Sequence, residues 1–263
     1  MTSITMPAKS KSVLKKVLFP VLAVVFWLCV WEVTAIILAR PLILPRVPDV
    51  FRELVRMISE GGFALTVTLS LSRVLLGFLL GTLVGAIIGS LTAFFPPFDI
   101  LLSPIISVIR ATPVASVIMV IWALISSSAV PTAIALLMVM PVVAQSTAAS
   151  FRAIDRPLTE VAEVFDFSLG KKIRLLWYPA LTEVLLPGII TAAGLAWKAG
   201  IAAEIISYTK NSIGREIHDS KAYFETERLF AWTLTVIILS LIIEKILKLL
   251  LKKCAGGTKS DKH

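Results

Sequence analysis

Between Asp99 and Arg152 the chain carries a single charged residue, Arg110. A helix needs about 20 apolar residues to cross the hydrocarbon core of a bilayer, and its backbone groups must be satisfied internally, so this stretch is long enough for two crossings. The rest of the chain repeats the pattern of long apolar runs separated by short basic segments. With 57% of the 263 residues hydrophobic and only 16% charged, against roughly a quarter charged in ordinary soluble domains, a water-soluble fold has nowhere to hide the apolar surface. The expectation is an all-α polytopic membrane helix bundle of about six transmembrane helices.

The expected spans are about 17–39, 63–94, 101–125, 130–150, 180–207 and 229–251. They form one transmembrane domain, 17–251, between an N-terminal segment, 1–16, and a basic tail, 252–263. The first apolar run follows Lys9, Lys11, Lys15 and Lys16 and continues past Trp27 and Trp31 without a small-residue cleavage site, so it reads as a retained anchor rather than a secretory signal. Residues 41–62 mix prolines, glycines and charges. Val50, Leu54 and Met57 at helical spacing predict a short amphipathic helix within that loop. In the second span Gly77, Gly81, Gly85 and Gly89 recur every four residues, a small-residue stripe that lets another helix backbone approach closely. Pro104 and Pro113 are expected to kink or break the third span, Ser126-Ser127-Ser128 divides it from the fourth, and Pro131 suits the first turn there. A polar loop is expected at 207–228.

The net charge of +9 lies in the segments between apolar runs, which marks topological anchors rather than a nucleic-acid face. His218 and His263 are the only histidines, and Cys29 and Cys254 the only cysteines. No metal site follows from them. A phosphate-binding loop needs Gly-x-x-x-x-Gly-Lys-Ser/Thr, and Gly170-Lys171 is preceded by Phe165 where the first glycine belongs. Nucleotide chemistry is therefore assigned to another polypeptide.

Lysine and arginine number fifteen on one side of the alternating spans and eight on the other, which predicts cytoplasmic N and C termini by the excess of positive charge inside. The loop 151–179 then lies on the cytoplasmic side. In it Asp155 and Pro157 signal a helix start, and Leu158, Val161, Ala162 and Phe165 follow at i, i+3, i+4 and i+7, opposite Thr159, Glu160, Glu163 and Asp166. Ser168 is placed to cap a second short helix through Lys171, Lys172 and Arg174, which turns at Pro179 into the fifth span. Two readings of this helix stay open: a contact surface for a cytoplasmic partner, or an interfacial helix on lipid headgroups.

The loop resembles that of type I ABC importer permeases, whose motif reads Glu-Ala-Ala, with Gly at position seven, Ile at seventeen and Leu-Pro at nineteen and twenty. Here Glu160, Val161, Ala162, Asp166, Leu176, Tyr178 and Pro179 occupy those positions. The spacing is kept, and Asp166 departs from the turn glycine. Leu44-Pro45, Thr68 with Arg73, Trp197-Lys198-Ala199-Gly200, Ala203-Glu204 and Leu229 to Thr233 are similar to the branch for nitrate, sulfonates and taurine. The resemblance implies a coupling helix formed by Glu160, Val161, Ala162, Glu163, Phe165 and Asp166 and ending the motif at Pro179. It also implies two permease copies as a homodimer, an ABC ATPase dimer that binds ATP and Mg, an extracytoplasmic substrate-binding protein, and a place in the plasma (inner) membrane. No cofactor is expected on this chain.

Charges inside spans cost free energy unless paired or hydrated. Arg73, Arg110, Lys198 and Glu204 are thus candidates for the translocation path of a small anion, or for internal ion pairs. Two other classes compete with the importer: an ion-gradient-driven secondary transporter or channel, which often shows internal repeats not visible here, and a membrane-embedded enzyme, which needs a cluster of histidines, cysteines or carboxylates that the spans lack.

Overall fold

The computed structural model describes residues 8–256, with side chains from Leu18 to Leu251 apart from Arg156. The outermost parts of the expected basic N-terminal segment and tail, 1–7 and 257–263, lie outside the described residues. Among the described residues the chain is helical with no strand: α1 Ala8–Leu38, α2 Val47–Ser59, α3 Phe63–Phe94, α4 Pro96–Ala111, α5 Val114–Leu124, α6 Val130–Arg152, α7 Arg156–Val164, α8 Leu169–Lys172, α9 Tyr178–Ile206, α10 Ile213–Ala222 and α11 Thr226–Gly256.

Leu18–Leu38, Phe63–Phe94, Val130–Arg152 and Leu169–Ile206 are four segments long and apolar enough to cross a membrane, or five with the pair α4 and α5 counted as one broken span. Among the described residues, four or five of the six expected spans thus have a counterpart by length and composition. The remaining one corresponds to α11, a helix of 31 residues with no charge between Arg228 and Glu244.

Of the two prolines in the third expected span, Pro104 sits inside α4, whereas Pro113 ends the helix. Steric conflict with the proline ring drives the preceding residue out of the helical region, and Thr112 is extended at φ −78°, ψ 133°. Pro113 is extended as well, and the two helices meet at a bend of 103°.

Helix α6 is central, buried along Val130, Ile134, Ala135, Val139, Val143 and Ala148 between α3 and α9. The α3 glycines lie against its backbone. A Cβ on Gly81 would stand 2.8 Å from the Leu136 carbonyl and one on Gly85 2.7 Å from that of Met140, while Gly77 and Gly89 face the carbonyls of Thr132 and Ala144 more closely still. The facing residues advance by four on both helices, so α3 and α6 run in the same direction. Trp197 on α9 is 1% exposed, and its indole N–H donates to the Val236 carbonyl at 3.1 Å, tying α9 to α11. Around this core the apolar side chains point outward: Phe19, Phe26 and Trp27 on α1, Leu79 and Leu83 on α3, and Leu241 and Ile242 on α11 are all exposed. Outward apolar residues around a small-residue interior suit a protein whose solvent is lipid.

Two expectations at the ends of α9 are corrected. The chain does not turn at Pro179. It passes from α8 through a π turn, Ile173–Trp177, into α9 as one segment, Leu169–Ile206. In the π turn the Tyr178 N–H reaches back to the Ile173 carbonyl, and Pro179, having no N–H to place, falls where a helix can spare one. The stretch 207–228 is not a plain polar loop, because α10 lies within it.

Candidate functional site

At one end of the bundle, Asp155 stands at the N-cap of α7 and Pro157 in its first turn, with no side-chain bond from the Asp155 carboxylate. The helix ends in a Schellman turn: Phe167 N–H donates to the Ala162 carbonyl at 2.9 Å and Asp166 N–H to that of Glu163 at 3.0 Å. The residue between must take a left-handed conformation, and Asp166 holds φ +47°. It thus occupies the conformation usually given to glycine. Ser168 precedes α8 in extended conformation, and its hydroxyl makes no capping bond, contrary to expectation; its carbonyl accepts from Lys172 N–H instead. Among the described side chains of α7 only Ala162 is buried. Leu158, Val161 and the C-cap residue Phe165 are exposed along one face, with Glu160 and Glu163 on the other side, where Val164 lies one turn beyond Glu160 and is exposed as well. Pro179 lies downstream in the first turn of α9.

At the opposite end, Glu204 near the C-terminus of α9 is 0% exposed. Its Oε2 accepts from Ser70 Oγ on α3 at 2.9 Å and from Gly214 N–H on α10 at 3.1 Å. Arg73, one turn along α3, places Nη1 3.6 Å from Oε1, but its guanidinium spends its hydrogen bonds on the carbonyls of Asn211 and Lys210, both at 3.1 Å. Ser70 Oγ also accepts from Ile213 N–H at 2.9 Å. A carboxylate buried this deeply is tolerated only when paired and hydrogen-bonded. Here it gathers α3, α9 and α10 at one point. Gly214 permits the approach, since a Cβ there would come within 2.5 Å of Ile205 N. Thr209 Oγ1 donates to the Ser127 carbonyl at 2.8 Å, adding the turn before α6.

The signal for α10 was present in the sequence and was missed. Ser212 is an N-cap residue whose hydroxyl accepts from Arg215 N–H at 3.0 Å, and Ile213 and Ile217 follow four apart on the packed side. Beside it, Tyr208 at φ +51° donates its hydroxyl to Asp219 at 2.8 Å. That bond to a carboxylate holds the phenol above the usual tyrosine range.

The other two charges lie apart from this cluster. Arg110 in the last turn of α4 donates to Gln145 Oε1 on α6 at 2.7 Å. Lys198 shares a cleft between α9 and α11 with Glu244, which bonds Lys248. Among the described residues no group of three or more histidines, cysteines or carboxylates is arranged to hold a metal.

Residues 77–255 match the family described as binding-protein-dependent transport system inner membrane component. The chain belongs to this family. It is 27% identical to an aliphatic sulfonates transport permease of Bacillus subtilis, over 91% of this chain and 86% of that one. It is 26% identical to the taurine transport permease of Escherichia coli, over 85% and 83% of the two chains. A permease of Methanocaldococcus jannaschii, 25% identical, is matched over 93% and 92%. Among solved structures, an amino acid ABC transporter crystallised with histidines aligns at a TM-score of 0.59 and 18% identity, over 73% of this chain and 93% of that one, and shares the fold. This permease is accordingly an ABC importer subunit embedded in a membrane, and a transport subunit by the names of its relatives. The family implies an ATPase and a substrate-binding protein as partners.

Proposed function

We propose that this permease carries a small anion of the sulfonate or taurine class inward across the plasma (inner) membrane as a multi-pass protein of six spans, 17–39 to 229–251. In this reading both termini and loop 151–179 are cytoplasmic, two copies form a homodimer, a separate ATPase dimer supplies the energy, and an extracytoplasmic protein delivers the solute. The observation that carries it is the uncovered face of α7. Leu158 is 52% and Val161 46% exposed on one face of a nine-residue helix, and Phe165, at its C-cap on the same face, is 71% exposed in an ordered Schellman turn. An apolar stripe on a short helix outside the bundle suits a groove in a partner, with Glu160 and Glu163 giving charge selectivity at its edge. The sulfonate class draws support from the two relatives named for sulfonates and taurine. Arg73 and Glu204 act in this reading as an internal brace, and Arg110 and Lys198 as cations of the path.

The basic residues Lys171, Lys172 and Arg174 favour a second reading, in which α7 lies on anionic headgroups. Charge reversal separates the two. Glu160→Lys is expected to lower copurification of the ATPase at least tenfold, and solute-driven ATP hydrolysis with it, while the permease remains in the membrane. Headgroup docking would instead be strengthened by the added positive charge, with ATPase capture unchanged.

A further inference from the structure

A cavity of about 560 Å³ lies between α4 and α6 and reaches the end of α3. Asp99 and Ser103 from α4, Thr92 from α3, and Gln145 and Arg152 from α6 stand on its wall. Arg152 bonds Asp99 at 2.8 Å and the Thr92 carbonyl at 3.2 Å, so the charge at that end is balanced.

Arg110 is in a different situation. Its one hydrogen-bond partner among the described residues is the neutral Gln145, and among them no carboxylate forms an ion pair with it. At 1.5 Å per residue it stands about 16 Å along α4 from Asp99, which in the six-span reading above is roughly half the depth of a ~30 Å hydrocarbon core. A guanidinium at that depth is costly unless a counter-charge or water meets it. Ser103 lies two turns N-terminal on the same face of α4, the direction in which a helical side chain leans. With its oxygen held by Arg110, the Gln145 amide keeps its N–H₂ group as a further donor. Gln145 and Ser103 stand on the cavity wall and Arg110 joins it through its bond to Gln145, and a planar fork of N–H donors with an amide and a hydroxyl matches the oxygens of a tetrahedral or planar oxyanion.

We infer that Arg110, Gln145 and Ser103 form a transmembrane subsite for the anionic group of the solute, a sulfonate-class oxyanion. The inference rests on the transport reading above and assigns that reading a specific site. The other intramembrane cations do not share its features, since Arg73 already has Glu204 and Lys198 faces Glu244.

The test uses a chain in which Cys29 and Cys254 are replaced by serine, carried in nanodiscs made from membranes of the expressing cells. A cysteine is introduced as Ser103→Cys, with Phe224→Cys, 74% exposed in the wild-type chain, as the reference. Modification rates are compared for two methanethiosulfonate reagents, one bearing ethylsulfonate and one ethyltrimethylammonium. The sulfonate reagent is expected to be favoured about tenfold at position 103 relative to position 224, the scale of one unit charge nearby at intermediate dielectric. Arg110→Gln is expected to abolish that preference, and Arg110→Lys to keep it within about twofold. No preference at position 103, a preference that survives Arg110→Gln, or no reaction with either reagent would each overturn the site. ATPase copurification from the same membranes reads the transport assignment separately. A persistent Arg110-dependent preference without any ATPase would sink that assignment and leave the anion site standing.

Discussion

Phe167 N–H donates to the carbonyl of Ala162 at 2.9 Å, closing a turn in which Asp166 takes φ +47°. The left-handed region costs a non-glycine residue roughly 1–2 kcal/mol, less for Asp because its short side chain can bond locally. Asp166→Gly is therefore expected to leave the turn intact and the α7 segment equally or slightly more resistant to proteolysis. Asp166→Val adds a β-branched clash and is expected to weaken both protease resistance and ATPase capture by a factor of several. Equal behaviour of the two variants would mean that the turn geometry does not govern partner binding.

The contact of α3 with α6 rests on the absence of side chains at the crossing. Gly81→Leu would drive a side chain into the Leu136 carbonyl, and backbone cannot rotate away as a side-chain tip can. Overpacking of this kind costs about 1–3 kcal/mol or more. The expected outcome is a marked fall in the midpoint of thermal aggregation in detergent. Gly194→Ala is the control, because its Cβ would meet nothing within 4 Å, and its midpoint is expected to stay within error of the wild type.

Glu204 holds α10 to the bundle through Ser70 and Gly214. Glu204→Gln keeps an acceptor for both donors and loses the Arg73 attraction. Glu204→Leu leaves the donors unpaired and Arg73 without its carboxylate, a class of change that costs about 3–5 kcal/mol. Limited proteolysis within 207–225 is expected to be slow in the wild type, moderately faster in Glu204→Gln and fastest in Glu204→Leu. A Leu variant as resistant as the wild type would show that α10 is held by its apolar contacts alone.

The motif around Asp166 illustrates how far a sequence reading reaches. The helix start at Asp155 and Pro157, the spacing to Pro179 and the tolerance of Asp for a left-handed turn are local matters, set by backbone sterics within a few residues. The glycine stripe is similar, because a four-residue period on one face needs no knowledge of the partner. Ser168 shows the limit even locally: a residue suited to capping sits at the cap position and does not use its hydroxyl. Pro179 is a further case, since the chain runs through a π turn into α9 where the proline had signalled a turn.

The apolar runs by themselves determined that this chain is a helical bundle in lipid, because continuous runs of about 20 apolar residues satisfy their own hydrogen bonds as helices, whereas a barrel needs shorter strands of alternating polarity. They also determined where small residues would let helices touch and where a short amphipathic helix would stand outside the bundle. Only the tertiary structure decided the partners of the intramembrane charges. Glu204 meets Ser70 from a position 134 residues away, and Arg110 meets Gln145 from 35 away. Such pairings follow from which helices pack together and at what height, and a bend of 103° at Thr112 and Pro113 shifts every height beyond it. The same charges that look alike in sequence therefore separate into a brace, Arg73 with Glu204, and a cation, Arg110, bonded to Gln145 on a cavity wall.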